Sequence, residues 1–374
     1  MEYAIFLLLN LYCILIYDIN GYHKNADLFY GIQFVILTFL SGFQYCMGTD
    51  IILYMEDFEN TNWDTIVNYD ILNIKRQLGW LLFVNIMRFT GDFVYLKLVH
   101  AVFLNVTVFL FIYKMTSQRS KFTAVLLYFI MVYFDWNYNI LRQSMAISFF
   151  LVACLYYETS KKKYYIFSVL SILFHSSAIV LILLFVFLRC KFDLKIFSWS
   201  ILLSVLVVIL FSSQGQTFWA YADFMMSDND SMSMALDGYM NNQRYESKLS
   251  IFKYLTYAFS FISVIWFILL NKKYFEKREL IYKMVFIYLF FRALTLEFVF
   301  FGRFTMYFIL FEIILIAEGI YTYSKLVDRS YRIIAFTLLL SLFILSSLPY
   351  YFSENAETGK AQLYQFYPYK SIFY

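Results

Sequence analysis

Four ionisable side chains lie beside or within long apolar stretches of this 374-residue chain, and they are the first candidates for chemistry: Asp50, Arg142, His175 and Arg303. An ionisable group at membrane depth is costly to bury, so each is by default a functional candidate. Guanidinium binds phosphate oxygens through two parallel hydrogen bonds, and histidine or aspartate can act as a general base. The set suits an anionic lipid ligand, most simply one that carries a pyrophosphate.

Arg142 and His175 each have a structural interpretation as well. Arg142 could extend to the membrane interface and pack its stem on neighbouring side chains, although Asn139 and Gln143 form a polar patch around it. His175 could simply hydrogen-bond a backbone carbonyl. Because it lies at a predicted helix break and histidine is the common base near neutral pH, a catalytic role stays open.

Arg303 and Tyr307 are four residues apart and so share one helix face. Arg292 and Glu297 occupy the preceding apolar run, where one of them could form a structural ion pair with the other or with Arg303. We therefore rank Arg303 above Arg292 as a functional residue.

Asp50 opens an acidic connection in the segment Gly48-Thr-Asp-Ile-Ile-Leu-Tyr54. It could be a helix N-cap, or it could be a catalytic carboxylate at the membrane surface. The chain has no Gly-rich phosphate loop, no H-E-x-x-H and no G-x-S-x-G, so nucleotide or hydrolase chemistry of the soluble type has no support. The cysteines show no metal-ligand spacing, which predicts packing roles and no metal site for Cys13, Cys46, Cys154 and Cys190.

The elements that must position these residues are membrane helices. Hydrophobic residues make up 62% of the chain and charged residues 15%, whereas soluble domains are nearer half and a quarter. Hydrocarbon admits only helices or closed barrels, and the apolar residues form unbroken runs of helix-spanning length rather than alternating strands. The runs lie at 3–17, 28–47, 78–89, 93–113, 122–134, 140–157, 164–188, 196–211, 254–270, 280–301, 304–317 and 333–352.

We therefore predict an all-α polytopic membrane protein with about 11–13 transmembrane or re-entrant helices in a single domain, residues 1–374. Glu2 stands where a signal peptide has a basic start, so the first run is expected to remain as a helix. The positive-inside rule predicts that five Lys/Arg-rich loops face the cytoplasm, at 114–121, 161–163, 189–195, 272–279 and 325–332.

The acidic or mixed connections 50–70 and 213–248, and the tail after Tyr350, are predicted to face outward. This topology places all four candidates toward the outer end of the bundle. Tyr164–Leu188 is free of charge yet has basic flanks on both sides, which predicts a hairpin that turns near His175. The run 78–89 is short for a span, so either it is re-entrant or interfacial or the first two helices are inverted.

Four short motifs, in this order and spacing, resemble the EpsG/Wzy group of bacterial polysaccharide polymerases. They are Gly48-Thr-Asp50 with Tyr54, Leu141-Arg-Gln143 with Ala146, Phe174-His175-Ser176, and Arg303 with Tyr307-Phe308. The resemblance extends from about Leu28 to the aromatic tail Tyr367-Pro-Tyr-Lys-Ser-Ile-Phe. One departure is Gln77, which stands where the family often has an acidic residue.

This resemblance implies the fold of an integral-membrane glycosyltransferase with a lipid-linked donor, in the bacterial cytoplasmic membrane. It implies that a growing glycan leaves undecaprenyl pyrophosphate and joins a lipid-linked repeat unit at the outer face. The activated lipid supplies the energy, so no cofactor is expected. Expected partners are undecaprenyl-pyrophosphate-linked glycans, membrane lipids and a chain-length regulator protein, with no nucleic acid.

The expected mechanism is one displacement at the anomeric carbon, which inverts its configuration. His175 or Asp50 would be the base, and Arg142 and Arg303 would stabilise the pyrophosphate leaving group. Expected substrate-binding residues are Tyr54, Gln143, Tyr307 and Arg292, and Trp219 and Tyr221 could stack on sugar rings.

Three other functions remain open at this stage. A flippase for the same lipid-linked unit would need charged residues through the full membrane depth. A glycan ligase would use the same donor and a similar site. A structural scaffold would explain the apolar runs but not the arginines at the outer end.

Overall fold

The computed structural model of the chain describes residues 2–69, 77–181, 184, 251–270, 278–295, 301–328, 331–352 and 362–373. The predicted run 196–211, the basic loop 189–195 and the connection 213–248, with Trp219 and Tyr221, lie outside the described residues.

The described part of the chain is helical, with one isolated antiparallel bridge between Gln44 and Ser371. Its α-helices are α1 (Glu2–Cys13), α2 (Ala26–Gly42), α3 (Ile51–Asn60), α4 (Trp63–Val67), α5 (Leu78–Arg88), α6 (Phe93–Met115), α7 (Lys121–Tyr128), α8 (Leu141–Tyr156), α9 (Lys161–Phe174), α10 (Ile251–Leu270), α11 (Glu279–Leu294), α12 (Gly302–Leu326) and α13 (Arg332–Phe352). Wide π-helical turns extend α1 through Ile14–Ile19 and follow α7 at Phe129–Tyr133 and Asp135–Asn139.

Three helices of the described residues are long and apolar enough to cross a membrane: Glu2–Ile19, Phe93–Met115 and Gly302–Leu326. Several shorter apolar helices accompany them, and the predicted all-α polytopic membrane fold is confirmed. α6 has 23 residues and is about 34 Å long, whereas α8 with 16 residues is about 24 Å long. α8 is therefore shorter than the hydrocarbon core of a bilayer, which is about 30 Å thick.

Among the described residues, three of the predicted basic segments lie at one end of the bundle. Ser117 and Ser120, between α6 and α7, donate hydrogen bonds to Glu318 in the last turns of α12. Arg278, just before α11, donates to the carbonyl of Met115. The 114–121 loop, Arg278 and the last turns of α12 therefore share one side of the bundle, while the identity of that side stays a prediction.

The parity of the N-terminal helices follows from two contacts at this basic end. Asp18, at the end of the first helix, accepts hydrogen bonds from the N–H and hydroxyl of Thr123 in α7. Asp27, in the first turn of α2, lies 3.6 Å from the ammonium of Lys121. α2 therefore runs from the basic end to the opposite end, and the first two helices are not inverted relative to our topology.

Since the first two helices are not inverted, the remaining prediction for the run 78–89 is that it is re-entrant or interfacial. α5 has 11 residues and is about 16 Å long, half the thickness of the hydrocarbon core. The connection before it, which we predict to face outward, contains α3, whose residues Ile51, Tyr54 and Phe58 face inward at helical spacing. Their neighbour is the buried ring of Trp80 in α5.

The predicted break near His175 is confirmed, whereas most of the second arm of the predicted hairpin lies outside the described residues. α9 ends at Phe174, His175 is extended, and a 3-10 turn follows at Ser176–Ile179. The side chain of His175 accepts the N–H of Ser177 and so caps this new turn. α5 packs directly on the end of α9, since a Cβ atom at Gly79 would lie 2.7 Å from the carbonyl oxygen of Leu173.

Candidate active site

An irregular turn between α7 and α8 positions the first residues of the candidate site. The π-helical turn Asp135–Asn139 ends at Ile140, which leaves helical geometry before α8 begins. The carbonyl of Tyr138 then faces Gly48, where an added Cβ would lie 2.5 Å from the carbonyl oxygen. Gly48 also has φ +99°, so only glycine fits both the backbone conformation and the space.

Asp50 is held on this turn through Thr49. The N–H of Thr49 donates to Oδ1 of Asn139 over 3.0 Å, and its hydroxyl donates to Oδ1 of Asp50 over 3.0 Å. Asn139 is itself oriented by Asp135, which accepts from its side-chain amide over 3.0 Å. Asp50 occupies the N-cap position of α3, but its side chain makes no capping hydrogen bond. The Asp50 carboxylate therefore lies at the start of α3 but does not cap the helix.

Tyr54 lies between Asp50 and Arg142. The Arg142 guanidinium carbon is 5.8 Å from the centre of the Tyr54 ring, and Tyr54 packs edge-on against Trp80 with ring centres 5.3 Å apart. Burial raises the pKa of the Tyr54 phenol, which lies outside the membrane-spanning helices. The positive charge of Arg142 opposes that rise in pKa, and the carboxylate of Asp50 adds to it.

The two predicted site arginines occupy equivalent positions on two helices. Arg142 is the second residue of α8, and Arg303 is the second residue of α12. The side-chain amide of Gln143 donates to the carbonyl of Arg303 over 2.6 Å and joins the two helix starts. Helix N-termini present unpaired N–H groups and a partial positive charge. Together with the guanidinium groups they form a strongly anion-attracting surface.

His175 lies near both arginines, because the guanidinium groups of Arg303 and Arg142 both act electrostatically on its imidazole. Its Nδ1 accepts the backbone N–H of Ser177 over 3.2 Å. Since an amide N–H can only donate, Nδ1 carries no proton and the neutral ring carries its proton on Nε2. His175, which is 7% exposed, therefore offers a hydrogen-bond donor to the site.

Tyr307 is linked to His175 through the hydroxyl of Ser177. Its hydroxyl lies 3.2 Å from Oγ of Ser177, which lies 2.7 Å from Nδ1 of His175. The Tyr307 side chain is fully buried, so it orients the imidazole through Ser177 and does not line the surface. Ser177 was not singled out in the sequence, although it directly follows the recognised Phe-His-Ser motif.

Arg292 lies away from this group. It forms an ion pair with Glu312 over 3.8 Å and donates to the hydroxyl of Tyr288. Glu312 is nine residues beyond Arg303 on α12, which places the pair about 13 Å further along the helix axis. Arg292 therefore has a structural partner in Glu312, which differs from the predicted partners Glu297 and Arg303. Glu297 lies outside the described residues.

Other buried ionisable residues inside the predicted apolar runs are not among the predicted site residues. Lys97, His100 and Glu312 are all buried, and each interrupts an otherwise apolar stretch. That interruption was a usable signal, because ionisable groups at membrane depth are costly.

Comparison with known proteins gives one match. The family model described as the EpsG family matches residues 27–371, nearly the whole chain. No curated protein matches the chain, and neither does any solved structure. The matched range contains every motif that carried the resemblance, which is thereby confirmed.

Proposed function

Because this multi-pass membrane protein belongs to the EpsG family, we propose that it is a polysaccharide polymerase of the outer face of the bacterial cytoplasmic membrane. In this proposal a growing glycan moves from undecaprenyl pyrophosphate to a lipid-linked repeat unit. The observation that carries it is the meeting of Arg142, His175 and Arg303 at one end of the bundle, with Asp50 across Tyr54 from Arg142.

The cationic side of the site suits the pyrophosphate of the donor. Each guanidinium offers a planar fork that matches two phosphate oxygens, and the two helix starts joined by Gln143 add N–H groups. The Nε2–H of His175 can donate to the same oxyanion. These donors stabilise the charge that develops on the leaving group, and losing one such donor costs enzymes about 100- to 1,000-fold in rate.

Asp50 is the better base of the two candidates. Nδ1 of His175 already accepts the Ser177 N–H, and its Nε2 carries a proton, so His175 is arranged to donate. Asp50 takes the proton of the acceptor hydroxyl as its oxygen attacks the anomeric carbon. The bond from that carbon to the pyrophosphate oxygen breaks, and the electron pair leaves with the lipid pyrophosphate. One such displacement inverts the anomeric configuration.

A lipid-linked oligosaccharide flippase is the second candidate function. The Arg292–Glu312 pair favours it, since this charged pair lies about 13 Å further along α12 than Arg303. The two charges neutralise each other, however, which is also how a structural intramembrane pair is built. The polymerase proposal uses the cluster at the helix starts, whereas the flippase would require a charged path through the bundle.

The deciding experiment is a profile of lipid-linked glycans from a deletion strain that carries Asp50→Asn. We expect single repeat units to accumulate at the outer face while long chains disappear. Asp64→Asn is the matched control, because Asp64 is an exposed carboxylate of the same connection. Long chains at normal expression would exclude Asp50 as the base, and units retained at the cytoplasmic face would indicate the flippase.

A further inference from the structure

Lys97 is a buried lysine that the proposed chemistry does not use. Its side chain in α6 is 2% exposed, and its ammonium donates to the carbonyl of Asn137 over 2.6 Å. The ammonium also lies 5.4 Å from the centre of the Tyr138 ring. Among the described residues no carboxylate forms an ion pair with it. Because burying an ammonium group is costly, we look for the role of Lys97 in its hydrogen bond to the Asn137 carbonyl.

That contact is made to the end of a helix. The π-helical turn closes with the N–H of Ile140 bonded to the carbonyl of Asp135 over 3.0 Å, and the chain then leaves helical geometry at Ile140. Carbonyl groups in the last turn of a helix lack a following N–H and need a donor from elsewhere. The helix end also carries partial negative charge, which a lysine complements. Lys97 supplies both the donor and the charge at Asn137.

The next two residues of the same turn contact residues 48–50, which we call the Asp50 loop. The carbonyl of Tyr138 abuts Gly48, and the side chain of Asn139 accepts the N–H of Thr49. Three consecutive residues therefore connect α6 on one side with the Asp50 loop on the other. A movement of the Asn137 carbonyl moves the groups on which Gly48 and Thr49 rest.

We propose that Lys97 is a positioning residue that holds the Asn137–Asn139 turn and, through it, places the carboxylate of Asp50 against the acceptor hydroxyl. The assignment of Asp50 rests on the proposed function, whereas the mechanical link from Lys97 to the Asp50 loop does not. The two parts can therefore be tested separately.

The mechanical link is tested by the accessibility of the loop. Asp50→Cys is built with Cys46→Ser, which removes the exposed neighbouring thiol, and intact cells are treated with a membrane-impermeant maleimide. We expect Lys97→Met to raise the alkylation rate at position 50 at least fivefold, because the turn loses its donor. Lys97→Gln keeps an N–H donor without the charge, and we expect it to label more slowly than Lys97→Met. Lys114→Met changes an exposed lysine at the other end of α6 and is expected to change nothing.

Activity is measured with Asp50 intact. We expect Lys97→Met to lose at least tenfold in long-chain polymer at normal protein level, with partial recovery in Lys97→Gln. Unchanged labelling and unchanged polymer in Lys97→Met would overturn the inference, as would failure of both Lys97 variants to accumulate, since Lys97 would then serve folding as a whole. If Asp50→Asn were fully active while Lys97→Met still accelerated labelling, the proposed function would fail and the mechanical link would stand.

Discussion

The side-chain amide of Gln143 donates a hydrogen bond of 2.6 Å to the main-chain carbonyl of Arg303, 160 residues further along the chain. This bond joins the first turns of α8 and α12, and each of these turns carries one of the two site arginines. The separation of the two guanidinium groups therefore depends on a buried amide that itself carries no charge.

Gln143→Met keeps the length of this side chain and removes its donor. A buried acceptor left without its partner costs about 1–3 kcal/mol, so we expect roughly a tenfold loss of long-chain polymer and a lowered melting temperature in detergent. Gln118→Met, an exposed glutamine in the 116–120 turn, should affect neither measurement. Normal polymer length in Gln143→Met would mean that the two helix starts hold their spacing without this bond.

Arg142→Lys and Arg303→Lys test whether the arginines act through two-point hydrogen bonding to phosphate or only through their positive charge. An ammonium cannot reproduce the planar two-point contact with phosphate. We expect each lysine variant to lose about 100-fold in polymerisation rate, and each alanine variant to make no long chains while remaining inserted. Arg119→Lys, at the basic end of the bundle, is the matched control. An alanine variant that restored full-length polymer in a deletion strain would remove that arginine from the mechanism.

His175 variants distinguish a donor from a base. Asn can keep the Nδ1-type acceptor for the Ser177 N–H, whereas Gln can keep a donor near the position of Nε2. If His175 donates to the leaving group, Gln should retain more activity than Asn, and the activity of the Gln variant should depend on pH as in the wild type. Loss of the rise in activity from acid to neutral pH in His175→Gln alone would instead identify His175 as the base.

Gly48 and Gly91 form a matched pair for the packing of the Asp50 loop. Both have positive φ, +99° and +79°, but a Cβ at Gly48 meets the Tyr138 carbonyl at 2.5 Å while a Cβ at Gly91 meets nothing within 4 Å. Alanine should cost about 1–2 kcal/mol of stability at Gly91 through backbone strain alone. Gly48→Ala should cost more and should also abolish long-chain synthesis. Equal effects of the two substitutions on polymer length would contradict the close packing at Gly48.

Cysteine labelling tests the orientation of the bundle. Single cysteines placed at 118, 162 and 327 should resist impermeant maleimide in intact cells, because these positions lie in loops that we expect to be cytoplasmic. A cysteine at position 64, in the outward connection, should react readily. Reaction at any of the three loop positions would reverse or break the topology.

Local sequence determined much of this protein, because hydropathy and helix breaks are properties of neighbouring residues. The long apolar runs located nearly all of the described helices, and the charge balance around 164–188 located the break at His175. The motifs around Asp50, Arg142, His175 and Arg303 could be read directly, and the family match covers them all.

Only the tertiary structure decided how these residues meet. Asn139 reaches Thr49 across 90 residues, and Gln143 reaches Arg303 across 160; no periodicity encodes such pairs, because they depend on how separate helices pack. The Asp135–Asn139 turn, Asp-Trp-Asn-Tyr-Asn, consists of residues with low helix propensity, but its contact with Lys97 of another helix cannot be inferred from that composition. The tautomer of His175 follows from the folded position of the Ser177 N–H. Local hydropathy selects the helices of a membrane protein, while hydrogen bonds between distant segments decide where its reactive groups point.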